Sequence, residues 1–372
     1  MKKTISPEWK RELKRMWWLL LIPLALVLGT LASYAPSVVE TVFANGIFPA
    51  VSFVVSWIFG WMPFSFAEFL LYALIILLGA WIIYVIVQAV KKKFNFKKFI
   101  HTLVTFGIVV GISLNAFYFM WGFNYYRYSI AYSMGLEVRE RPPQELADLC
   151  AALANTANIL REHVDVDSDG VYTLNGNYSE VFGEIPQAYE SLATVYPQFS
   201  KSIPPAKPVA ASELLSYADI SGIFIPFTEE ANVNVHQNDL MIASAAAHES
   251  AHLMGIARED EANFVAFLAC ISADDPNIAY SGVMLALVHA GNKLNDLSPD
   301  AYSQLYSYYS DGVVRDLNAH REYWDRYDGK VAETVQKIND NYLKSHDQDA
   351  GVMSYGYMVD LLLAYFAQMN GA

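Results

Sequence analysis

The chain has 372 residues, 54% of them apolar, with two cysteines and a net charge of −13. Charge is unevenly divided: residues 1–121 carry 11 basic and 4 acidic side chains, whereas residues 122–372 carry 14 and 34. The strongly acidic C-terminal part excludes nucleic acid as a partner, because that binding is driven by Lys and Arg neutralising phosphates. The apolar, basic N-terminal part points to a lipid bilayer.

The first long apolar run covers 16–34 and follows an arm rich in Lys and Arg. A cleaved signal peptide would end at a small-residue site such as the one before Pro36. The long leader and the apolar segments that follow favour an uncleaved span. Further spans are predicted at 66–90 and at about 99–121, separated by the lysine-rich loop 91–98. Residues 35–90 contain neither Lys nor Arg. The positive-inside rule then puts the N-terminus and the 91–98 loop in the cytoplasm of a bacterial cell, and everything after residue 122 outside the cytoplasmic membrane. The apolar stretch 47–62 is short and flanked by Pro49 and Pro63. A fourth span there would push the lysine-rich loop outside, so it reads as interfacial or re-entrant. The expected organisation is a three-helix transmembrane anchor over 1–121 and an extracytoplasmic domain over 122–372.

Beyond the anchor the pattern becomes that of amphipathic helices. One is predicted at 140–164, opened by prolines, and another at 185–196. The turn-rich segment 165–183 contains DVDSDG, a faint echo of a calcium loop that lacks the closing glutamate and therefore reads as a loop. Strand signals lie at GIFIPF (222–227) and ANVNVH (231–236). From there helices are expected at 240–254, 260–273, 280–294, 298–324, 330–344 and 355–369. Cys150 and Cys270 sit in apolar helical surroundings and read as buried small hydrophobes, a disulfide being the alternative outside the cytoplasm.

The chemistry concentrates in HESAH, residues 248–252. A separation of four places His248 and His252 on one helical face, where two neutral imidazoles can bind one zinc ion. Glu249 then lies where a general base for a zinc-activated water is needed. The bland alternative is two surface histidines beside a salt-bridging glutamate. The flanking sequence is almost free of charge, which implies a packed helix and a buried Glu249 that needs a reason. Gly255 is placed to end the helix. For the third ligand the candidates are Glu259, Asp260 and Glu261. Glu261 shares a face with Phe264, Val265 and Leu268, so it is the predicted ligand. Glu259 and Asp260 read as first-turn acids favoured by the helix dipole.

HESAH followed by EDEANFVAF resembles the gluzincin metallopeptidases, whose third ligand is a glutamate on a following helix. The E-x-E-A-N-x-x-A stretch is similar to that of repressor-cleaving metallopeptidases from mobile elements. The chain as a whole is similar to an uncharacterised family of bacterial membrane proteins with a C-terminal zincin-like domain. IPFTEEANVN (225–234), the zinc motif, EYWDRY (322–327) and SYGYMVDLLLAY (354–365) carry that likeness. It implies a mainly α chain: three transmembrane helices, then an α+β zincin-like domain with a small sheet and a largely helical C-terminal part.

The implied function is a membrane-anchored, zinc-dependent peptidase. Its zinc would be held by His248, His252 and Glu261, with Glu249 as general base and a peptide or protein as substrate. In zincins the strand before the active-site helix lines the cleft, which makes Asn232 and Asn234 candidate substrate contacts. Tyr280 and Tyr355 are the foremost candidates for the oxyanion donor, with His289, His320 and Tyr357 behind them. Asp360 is an acid in an apolar helix, suited to orienting a zinc histidine or to a buried hydrogen-bond network. A non-catalytic zinc receptor or scaffold would have no use for Glu249. An intramembrane protease would need a longer apolar helix around the motif.

Overall fold

The computed structural model describes residues 7–93, 95–344 and 357–371. They form a mainly helical chain with one small sheet. Four helices are long and apolar enough to cross a membrane, which marks the chain as a membrane protein: α1 (Trp9–Ser33), α2 (Pro36–Phe59), α3 (Phe66–Val90) and α4 (Phe96–Met120). This is one more than the three spans expected. The stretch 47–62 is not an isolated short segment, because it ends a helix that begins at Pro36. The intervening residues Val39–Ile47 continue that helix in π-helical form, so the chain does not break before Pro49. A proline costs nothing in hydrogen bonding at the start of a helix, and the π segment absorbs the second one.

The chain divides into two compact units. The first comprises Met1–Val51 and Phe66–Arg127, the second Ser52–Ser65 and Tyr128–Ala372. Within the first unit α1 and α4 run parallel. Arg15 donates to Thr105 Oγ1 at 2.6 Å, and Glu12 pairs with His101 at 2.8 Å. Further along, Asn115 Nδ2 donates to the Leu21 carbonyl at 2.8 Å, and the ring of Tyr118 lies against Gly29. Arg127, at the end of this unit, makes a 2.8 Å ion pair with Glu40.

The second unit contains α5 (Ile130–Met134), α6 (Pro143–Arg161), α7 (Tyr178–Val195), β1 (Lys207–Pro208), α8 (Ser212–Tyr217), β2 (Gly222–Ile225) and β3 (Glu230–Val233). These are followed by α9 (Ile242–Leu253), α10 (Glu259–Ile271), α11 (Pro276–Leu297), α12 (Pro299–Tyr306), α13 (Asp311–Asp325), α14 (Lys330–Lys344) and α15 (Met358–Met369). The helix expected at 298–324 is broken in two. Ser310 leaves the helix and accepts from Val313 N at 3.4 Å, which starts α13 afresh. Other starts follow the same rule: Asp275 accepts from Asn277 N at 2.8 Å, with Pro276 as the first residue of α11.

The core is built on α9, α10 and α11, where Ile242, Leu253, Phe264, Leu268 and Ile278 are all but inaccessible. Each such side chain contributes about 1.5–3 kcal/mol. Cys150 and Cys270 are buried and free, as apolar packing residues, and burial pushes both thiols up to about 12. The DVDSDG segment is a plain loop. Asp167 Oδ1 accepts from Asp169 N and Val171 N, and Arg161 and Arg315 both donate to the Gly170 carbonyl.

The sheet has the order β1-β3-β2. β3 is central, parallel to β1 with Lys207 opposite Asn232, and antiparallel to β2 with Gly222 opposite Val233. All four residues of β3 are buried. β2 is therefore an edge strand, and it lies directly over α9.

Candidate metal centre

Helix α9 carries HESAH in its last turns and stops where the sequence indicates. Gly255 adopts φ +82°, a conformation costly for any residue with a Cβ. Gly255 N donates to the His252 carbonyl at 2.9 Å and Ile256 N to the Ala251 carbonyl at 3.1 Å. This pair of bonds is a Schellman turn. It brings the Ile256 carbonyl back over the helix end, where it accepts from His252 Nδ1 at 2.7 Å. That bond places the proton of His252 on Nδ1, so Nε2 carries the lone pair of the ring. Burial pulls the His252 pKa down to about 4, so the ring is neutral.

His248 lies one turn earlier, its ring centroid 4.8 Å from that of His252. The third member of the cluster is Glu259: its carboxylate oxygens stand 3.2 Å from His248 Nε2 and 3.8 Å from His252 Nε2. One ligand atom from each of the three residues fits within 4.8 Å of the others. Burial works against a charge on His248. The hydrogen bond to Glu259 and the negative charges of Glu249 and Glu259 outweigh it and carry the ring up to about 9. Asn263, one turn after Glu259 on α10, stands beside the same ring and also favours its charged form.

Glu261, the ligand expected from the sequence, is not in this cluster. It is buried as expected, but its Oε1 accepts from Ile130 N at 3.0 Å and faces Arg258 at 3.4 Å. The inward position of Glu261 is thus answered by the start of α5. Glu259 is the first residue of α10, and side chains there tilt back toward the helix N-terminus, which returns it to α9.

Glu249 is 3% exposed. Burial pushes its carboxyl up to about 8, against the pull of the His248 charge and a hydrogen bond from the backbone of Phe224. It fits beneath β2 only because residue 222 is glycine. A Cβ there would stand 2.5 Å from Glu249 Oε1. The ring of Phe224 packs at 6.0 Å from that of His252. Edge strand, buried acid and histidine pair are therefore one assembly.

The asparagines expected to meet substrate are closed in by protein. Asn232 and Asn234 are buried on or just after the central strand, 1% and 0% exposed. Asn232 Nδ2 donates to the Ile223 and Glu230 carbonyls, and Asn234 Nδ2 to Ser216 Oγ and the Ile220 carbonyl. Asn232 fastens β2 to β3, and Asn234 ties the end of β3 to α8 and to the turn before β2. Tyr280 is also misplaced as an oxyanion donor. It is fully buried and donates to Asp316 Oδ2 at 2.7 Å, within a network that includes Arg161. Tyr355 lies outside the described residues. His320 is half-buried on α13 beside Trp324, and Tyr357 is half exposed. Among the described candidates, His289 is near enough to the cluster to feel the charge of His248, which adds to burial in pulling its pKa down to about 4. Asp360 lies within reach of the Lys293 charge on α11 and does not orient the histidines.

The chain matches, over residues 43–363, the family described as "Protein of unknown function (DUF3810)", and it belongs to that family. No curated protein and no solved structure matches it.

Proposed function

We propose that this protein is a membrane-anchored, zinc-dependent peptidase. The observation that carries the reading is the convergence of His248 Nε2, His252 Nε2 and the Glu259 carboxylate beside a buried Glu249. The donor set fits the ion. Ligands of a tetrahedral zinc with bonds of about 2.0–2.1 Å lie roughly 3.3 Å apart. His252 already holds its proton on Nδ1, so its Nε2 lone pair is available to a cation. His248 would have to give up the extra proton it shares with Glu259, and with Nε2 on the ion its remaining proton would sit on the buried Nδ1, which meets no hydrogen-bond partner among the described residues. When bound, the ion supplies Lewis acidity, lowering the pKa of water and polarising a carbonyl.

The residues of the chain do the rest. Glu249 takes the proton of the attacking water and returns it to the leaving amine, the role that suits a carboxyl with a pKa near neutrality. The edge strand β2 would align an extended peptide beside that carboxyl. A purely structural metal site would not require a buried acid next to its first histidine. The motif helix α9 spans only Ile242–Leu253 and is not one of the four apolar helices, which disfavours cleavage within the bilayer.

Orientation follows from α4, the helix that leads into the rest of the chain. It starts from the lysine-rich loop 91–98 and runs parallel to α1, which starts from the basic arm. Two parallel helices of one bundle start on the same side, so one of the two helices between them turns back without crossing, and the positive-inside rule makes the shared side cytoplasmic. The end of α4 at Met120 and the site after it then face outward.

The test is the full chain, purified in detergent, compared with Glu249→Gln on a mixed peptide library. The native protein should cleave peptides, and the variant should do so at least about 100-fold more slowly. Zinc retained by both forms with no cleavage by either would establish a non-catalytic zinc protein instead.

A further inference from the structure

Two acids at the entry to β3 have no place in this chemistry, yet both are buried: Glu229, just before the strand, and Glu230, its first residue, are 0% and 1% exposed. Each meets a lysine, and each lysine also reaches the end of α2. Lys207 Nζ bonds Glu230 at 2.5 Å and the Phe59 carbonyl at 2.7 Å. Lys201 Nζ lies 3.8 Å from Glu229 and donates to Ser52 Oγ, while Ser52 donates to Glu229. Ser52 is fully buried. Burial pulls the lysine down and the glutamate up, as expected for a pair held away from water. Glu229 keeps this place with a positive φ of +49°.

The Lys201 pair also touches the metal-site helix. Its ammonium also donates to the carbonyl of Leu253, the last residue of α9. The Schellman turn uses the carbonyls of Ala251 and His252 and leaves that of Leu253 free, so the ammonium supplies the missing donor at the negative end of the helix dipole. The same turn carries the Ile256 carbonyl that holds His252 Nδ1. A path therefore runs from Ser52 through Lys201 to Leu253, and across the turn to His252.

We propose that Lys201 is a positioning residue for the metal centre, which holds the end of α9 in register through Leu253 and ties it to the apolar helix α2 through Ser52 and Glu229. The site is complete only while the Ser52–Phe59 end of α2, which belongs to the same unit, keeps this contact. This rests on the metal reading above and adds a dependence that the reading does not require.

The experiment measures Co2+ binding to the full chain in detergent, by affinity and by the visible spectrum that reports ligand geometry. Hydrogen exchange over 250–257 is followed in parallel without metal. Lys201→Met combined with Glu229→Gln removes the link without leaving a buried charge unpaired. Lys207→Met with Glu230→Gln is the matched control, and Ser52→Ala is the mildest variant should the first fail to fold.

The expected result is about a 10–100-fold loss of Co2+ affinity for the Lys201 pair, the range seen when groups that orient ligands are removed. An altered spectrum and faster exchange at 250–257 should accompany it. Ser52→Ala should change all three in the same direction by a smaller factor, and the Lys207 pair should stay near native. Native affinity, spectrum and exchange in the Lys201 pair or in Ser52→Ala would overturn the proposal and leave the metal reading standing. An equal loss in both lysine pairs would also overturn it. A native chain that binds no Co2+ would overturn the metal reading itself.

Discussion

Gly222 lies flat against the carboxyl group of Glu249: a Cβ at that position would stand 2.5 Å from Oε1 and 2.7 Å from Cγ. The contact includes the inner part of a buried side chain, so the glutamate cannot yield by rotating its tip alone. Gly222→Ala should therefore displace Glu249 while leaving His248, His252 and Glu259 in place. The expected outcome is a loss of peptide cleavage of about 10-fold or more with unchanged zinc content. Full activity in the alanine variant would show that the close approach has no catalytic consequence.

Glu259 and Glu261 are two residues apart and have different partners. Glu259→Gln removes a ligand and should weaken zinc binding by more than the roughly 10–100-fold that loss of a supporting group causes. Glu261→Gln should leave the zinc affinity within a few-fold of native, because that carboxylate faces Ile130 N and Arg258. Its effect should fall on stability, by about 1–3 kcal/mol for a weakened buried charged hydrogen bond. Titration with a competing chelator separates the two, and the reverse order would restore Glu261 as the ligand.

The legible part of the fold was the part governed by local rules. Periodicity placed most helices of the second unit, alternation placed β2 and β3, and Gly255 marked the end of α9. What was missed depended on partners distant in sequence. The wheel for α10 identified Glu261 as inward-facing but said nothing of whether α9 or α5 awaited it. Alternation in ANVNVH could not say that this strand is central, which turns Asn232 and Asn234 from substrate contacts into fasteners. The prolines around 47–62 suggested a short segment, whereas the π-helical turn from Val39 joins it to a longer apolar helix. Lys201 and Ser52 carry no motif at all, and only their meeting in space gives them a role.

Asp316 anchors the helices behind the site. It is fully buried and accepts from Arg161 Nε at 2.5 Å, Tyr280 Oη at 2.7 Å and Tyr172 N at 2.8 Å. Asp316→Asn leaves the guanidinium without its counter-charge and should cost about 3–5 kcal/mol. A urea titration of the full chain in detergent measures it. A change below about 1 kcal/mol would mean that Arg161 finds another partner.

Acid should destabilise the second unit through His320. Burial pulls its pKa from 6.5 down to about 4, and its Nδ1 has no hydrogen-bond partner among the described residues. The folded state disfavours the proton, so this contribution is fully present above about pH 6.5 and is lost as pH falls toward 4, at up to about 1.4 kcal/mol per pH unit. Thermal midpoints between those values should fall more steeply for the native chain than for His320→Phe. Identical slopes would remove His320 from the account.

The most direct test of the central claim is zinc K-edge X-ray absorption on the purified full chain. The expected result is one zinc per chain, with two imidazole nitrogens and a carboxylate oxygen at about 2.0–2.2 Å and an oxygen from water, and with the carboxylate contribution lost in Glu259→Gln. A chain that purifies without zinc and takes none up, or a site whose spectrum is indifferent to Glu259, would contradict it.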